Sequence, residues 1–61
     1  MDYEQFKKQV YILTKIDLNM YKEKQMKRRI DSLIAKNKID GYKDYVDAIK
    51  KDSKLFEEFV N

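Results

Sequence analysis

The sequence predicts an all-α fold: a compact bundle of about four short helices in one domain spanning residues 1–61. Three observations carry this. Apolar residues recur at helical spacing in four separate stretches, proline is absent, and glycine occurs once. Proline breaks a helix interior and glycine weakens it, so a chain nearly free of both can stay helical throughout. A domain this short buries only about 60% of the surface its unfolded chain exposes, so each stripe must meet the others in one core.

Asp2 opens a first helix over about 2–14. Gln5, three residues on, completes the form of a capping box, with Asp in place of the usual Ser or Thr. Tyr3, Phe6, Val10 and Leu13 give its apolar stripe. Thr14 to Met20 then breaks the period. Asp17 and Asn19 favour caps and turns. Ile16 and Leu18 alternate around Asp17, as in an extended linker that tucks apolar side chains under the next helix. The start of the second helix lies at or near Asp17, Asn19 or Met20.

The second helix, Tyr21 to Lys36, has two working faces. Met26, Ile30, Leu33 and Ile34 form a core-facing stripe at i, i+4, i+7, i+8. The opposite side carries Lys22, Lys24, Arg28, Arg29 and Lys36, broken by Gln25 and Ser32. Glu23 and Lys27 are set for an i, i+4 ion pair, whereas Lys24 and Arg28 are like charges one turn apart, which disfavours the helix slightly. Cations near Lys36 suit the negative end of the helix dipole, and Asn37 suits a left-handed C-terminal residue. Ile39, Asp40 and Gly41 form a turn. A third helix follows from about Tyr42 to Lys50, with Tyr42, Tyr45, Val46 and Ile49 apolar and Asp47 set to pair with Lys51. The tyrosines suit the rim of a core, with each hydroxyl reaching water. Asp52 and Ser53 cap a fourth helix bearing Leu55, Phe56, Phe59 and Val60. Its pattern is unfinished at Asn61, as in a piece of a longer protein.

Charge is concentrated. Residues 20–39 hold seven basic and two acidic groups, a local +5 within a net +3. On charge alone a lysine-rich face more often meets water than a partner. Cysteine and histidine are both absent, which excludes disulfides, the commonest metal ligands and the commonest general base. No Ser/His/Asp set or glycine-rich phosphate loop occurs. Pairs such as Asp44 with Asp47, or Glu57 with Glu58, read as solubilising carboxylates. The residues therefore offer no catalytic, cofactor-binding or metal site. No apolar run approaches the ~18 residues of a membrane span, and no signal peptide is visible, so a cytoplasmic monomer without membrane insertion is expected. The basic face is the one candidate site. Its guanidinium groups suit carboxylate or phosphate. A small nucleic-acid-binding module is the alternative reading. It is disfavoured by the long, glycine-free connection before the second helix and by the modest net charge.

One resemblance runs through these residues. Ile16-Asp17-Leu18, then Tyr21-Lys22, then Gln25-Met26-Lys27-Arg28-Arg29-Ile30 and Leu33, is similar to the amino-terminal domain of the CheR chemotaxis receptor methyltransferases. Tyr42 and Tyr45 match that family's next aromatic pattern, and Asp52, Leu55 and Phe59 match its following segment loosely. The resemblance covers about residues 10–61. It implies a parent enzyme that transfers a methyl group from S-adenosylmethionine to glutamate side chains of chemoreceptors. It also implies that this small domain packs on a separate catalytic domain, absent here, while its basic second helix faces the receptor's methylation helices. Receptor-binding positions carried over are Arg28 and Arg29, with Lys22, Lys24, Gln25, Ser32 and Lys36 around them. Of these, Lys22, Gln25, Arg28 and Arg29 lie in the matched pattern, and helical geometry adds the other three. The Thr-x-x-x-Thr/Ser-x-Phe-Phe/Tyr-Arg motif and the glycine-rich cofactor site that follow in the family are not among these 61 residues.

Overall fold

Asp2 caps the first helix through both halves of the expected box. Its carboxylate accepts from the Gln5 backbone N–H at 2.9 Å, and its own N–H donates to Gln5 Oε1 at 3.2 Å. In the computed structural model, which describes residues 1–61, the elements run α1 (Tyr3–Thr14), a 3-10 turn (Leu18–Met20), α2 (Glu23–Lys36), α3 (Tyr42–Lys51) and α4 (Ser53–Val60). The all-α bundle of four helices is what the sequence predicts.

The linker differs in detail from the expectation. Asp17 caps the 3-10 turn, with its side chain accepting from Asn19 N–H, and Tyr21 is extended. The second helix therefore begins at Glu23, and Tyr21 and Lys22 precede it. Lys15, in the left-handed region at φ 66°, ends α1. The chain reverses there and brings Leu18 into the core.

Tyr3, Phe6 and Val10 of α1 meet Leu18, Ile30 and Leu33 of the linker and α2. Tyr45, Val46, Ile49 and Phe59 complete the core from α3 and α4. Phe6 sits between aromatic rings, with centroids 5.1 Å away at Tyr42 and 6.2 Å away at Tyr45. Leu13 departs from its expected role: it is 37% exposed at the last turn of α1. Ile30 is fully buried on the stripe of α2. Ile30→Ala should lower stability by about 2–5 kcal/mol in a denaturant melt.

The two most buried tyrosines also correct the expectation that every hydroxyl reaches water. The Tyr3 and Tyr45 hydroxyls are buried and have no hydrogen-bond partner. A buried hydroxyl that has left water without a replacement partner costs stability. Tyr45→Phe should therefore stabilise the domain by about 1–3 kcal/mol, read as a higher denaturant midpoint. Burial, with Glu58 nearby, pushes the Tyr45 phenol up to about 12. A raised pKa on an acid means the folded state disfavours the phenolate. Stability is then intact below the usual tyrosine pKa of 10 and falls as pH rises toward about 12. The Phe variant should lose the Tyr45 share of that alkaline slope and keep the part due to Tyr3 and Tyr42, whose phenols burial also raises.

α2 ends in a Schellman arrangement. Ile39 N–H donates to Ile34 O and Lys38 N–H to Ala35 O. The left-handed residue is Lys38, at φ 55°, and not Asn37. Asn37 instead uses its side-chain amide to hold Leu33 O at 2.8 Å and Glu58 Oε1 at 3.0 Å.

Candidate functional site

Amphipathic spacing decides what α2 can present. With Ile30 and Leu33 turned into the core, the side chains one-half turn away face out. These are Lys24, Arg28 and Ser32, with Gln25 beside them, all exposed. Lys22 is exposed just before the helix, at its N-cap. Lys24 and Arg28 form no ion pair, and none of the five has a side-chain hydrogen bond within the domain. They make a row of free cations and polar groups along the outer side of the helix.

Two further candidate residues are placed differently. Arg29 reaches the end of α4, where its Nη2 donates to Glu58 O at 2.9 Å and Phe59 O at 3.2 Å. A cation on the last carbonyls of a helix satisfies groups that have no partner within it and meets the negative end of the dipole. Lys36 pairs with the Glu58 carboxylate, which also accepts from Asn37. Those two contacts, Lys36 first, hold the Glu58 carboxyl below the usual carboxylate range. So Arg29, Lys36 and Asn37 clamp α4 onto α2 along one edge of the cationic face. A depressed pKa contributes stability above the ordinary carboxylate value and loses it as pH falls through the folded value. Thermal melts of the parent should therefore drop in acid more steeply than those of Glu58→Gln.

A third cation is absorbed by the fold, and sequence spacing signals only its i, i+3 contact with Glu4 and not those with Asn19 and Glu23. Lys7 is only 8% exposed. Its Nζ lies 2.9 Å from Glu4, 3.2 Å from Glu23 and 2.8 Å from Asn19 Oδ1. It ties α1 to the 3-10 turn and to the first turn of α2. Glu23 is thereby engaged across 16 residues. The Glu23–Lys27 pair expected from local spacing does not form, and Lys27 joins Asp31 at 3.4 Å instead. Asp47 and Lys51 likewise form no ion pair.

Two recesses flank the cationic row. A shallow cleft of about 210 Å³ lies among Tyr21, Lys22, Gln25, Met26 and Arg29. It runs into a groove of about 310 Å³ between the linker, α2 and the end of α4. The one glycine, Gly41, is extended at φ 177° at the start of α3, and no glycine-rich loop faces either recess. No group of three or more acidic side chains is placed to hold a metal. No helix is long and apolar enough to cross a membrane.

The geometry defines an all-helical domain that presents one unpaired cationic helix face. The family follows from comparison. The chain matches the all-alpha domain of the CheR methyltransferases over residues 1–61 and belongs to that family. It is 46% identical over 46 residues to the chemotaxis protein methyltransferase of Listeria innocua, and equally so to that of Listeria monocytogenes. The match covers 75% of this chain and 18% of each relative. The chain thus spans a minor part of the length of those curated relatives. No solved structure matches it.

Proposed function

We propose that this chain is the receptor-recognition domain of a cytoplasmic chemotaxis methyltransferase, and that α2 docks on the glutamate-rich methylation helices of chemoreceptors. The parent enzyme would transfer methyl from S-adenosylmethionine to glutamate, using a catalytic domain outside this chain. The observation that carries the reading is the free row on α2, in which Lys24 and Arg28 stand one turn apart with no internal carboxylate. Like charges at that spacing work against the helix, so folding gives no reason to keep them there. Lys22, Gln25 and Ser32 extend the row, and Arg29 and Lys36 border it while clamping α4.

Opposed charge would steer encounter and set register more than it would add affinity. It also gives a direction: esterification removes a carboxylate, so methylated product should bind less tightly than substrate. The test is titration of the chain with an unmethylated receptor fragment, its methyl ester and random duplex DNA. The expected order of binding is fragment, ester, DNA, weakening as salt rises. DNA binding as tight as fragment binding would favour a nucleic-acid module and overturn the proposal.

A further inference from the structure

Exposed ion pairs contribute little each and fade with salt. A cationic row alone would also accept any polyanion. The groove beside it supplies what charge cannot. Its floor is Ile16, Leu18, Met26 and Phe59, and its rim is Tyr21, Val60 and Asn61, the first two 53% and 48% exposed. Tyr21, Met26 and Arg29 line both this groove and the cleft that opens onto Lys22 and Gln25. Arg29 stands at the join, held by the two carbonyls of α4 through Nη2. Its Nε and Nη1 donors have no partner in the domain. No acidic side chain lines the groove.

We infer that this groove seats a large apolar side chain of the same acidic helix that the α2 face meets. The inference rests on the docking reading and adds to it what the partner must carry: a leucine-sized side chain one turn from a carboxylate. The side chain fills the groove while the carboxylate accepts from a free donor of Arg29. A desolvated apolar anchor ringed by polar contacts is the common form of a binding hot spot. It also discriminates, because a nucleic acid offers phosphates but no aliphatic side chain.

Two helical peptides of equal charge test this with the 61-residue chain. Both carry glutamates one turn apart. One has leucine beside them and the other alanine, which keeps the helix. The leucine peptide should bind about tenfold more tightly, and that margin should persist at high salt. Val60→Ser and Tyr21→Ser should each bring the leucine peptide toward the alanine value and leave the alanine peptide unchanged. Ile12→Ser, at an exposed position lining a separate recess, should alter neither. Equal binding of the two peptides, or rim variants without effect, would overturn the groove and leave the docking reading standing. If neither peptide binds, both fall. If the groove is instead covered by a second copy, the chain will sediment as a dimer that Val60→Ser dissociates, and the inference is again overturned.

Discussion

Phe6→Ala should leave most of the domain unfolded at room temperature. Phe6 is fully buried and lies among three aromatic rings, with the Tyr3 centroid at 6.0 Å, Tyr42 at 5.1 Å and Tyr45 at 6.2 Å. Removing such a side chain costs its transfer free energy and leaves a cavity, together about 3–5 kcal/mol. A core of this size rarely supplies more than about 3–5 kcal/mol in total, so the loss matches the whole margin. Far-ultraviolet circular dichroism reads the outcome directly. The parent should melt cooperatively, and the variant should show little helix at any temperature. Ile12→Ala is the control, since a side chain 66% exposed should move stability by no more than about 0.5 kcal/mol. A Phe6→Ala variant that melts within a few degrees of the parent would mean that the core is not organised around this residue.

Reversing Lys24 and Arg28 together, as Lys24→Glu with Arg28→Glu, should abolish binding to an unmethylated receptor fragment without harming the fold. Neither side chain is paired within the domain, so substitution breaks no internal contact. Two attractive pairs become two repulsive ones, and like charges set face to face cost several kcal/mol across an interface. The double reversal leaves helix stability near that of the parent, because two carboxylates one turn apart repel as the two cations did. Arg29 is a poor choice for this experiment. Arg29→Glu would place a carboxylate against Glu58 O and Phe59 O and loosen α4, so lost binding would have two explanations. A double reversal that binds as the parent does, with unchanged circular dichroism, would remove the α2 row from the site.

The neighbours Arg28 and Arg29 illustrate how much of the site could be read from sequence. Periodicity separates residues that face the core from those that do not. Ile30 and Leu33 are buried and Lys24 and Arg28 exposed because the 3.6-residue repeat requires it. The fate of Arg29, at the border of the two faces, depends on where α4 ends, and that is set by the turn at Lys51–Ser53 and by core packing. Lys36 and Glu58 meet across 22 residues for the same reason. Lys7 is the clearest miss. It flanks the Tyr3–Phe6–Val10 stripe and would be solvated if the linker were extended, but the 3-10 turn folds Asn19 and Glu23 onto it. Local rules did well where both partners are local, as in the Asp2–Gln5 box and the Asp52 cap of α4. They failed for Glu23 and Asn37, where tertiary contacts competed. Glu23 prefers the buried Lys7 to a solvated Lys27, and Asn37 is drawn to Leu33 O and Glu58 while Lys38 takes the left-handed position.

The proposed division of α2 into an outward docking surface and an inward core face can be tested in one titration. Amide shifts of the isotope-labelled chain are followed by NMR as an unmethylated glutamate-rich receptor helix is added. Shifts should group at Lys22, Lys24, Gln25, Arg28 and Ser32 and shrink as salt is raised, with the α3 amides unmoved. Shifts that avoid 22–36, or that persist unchanged in the Lys24→Glu, Arg28→Glu chain, would contradict that division.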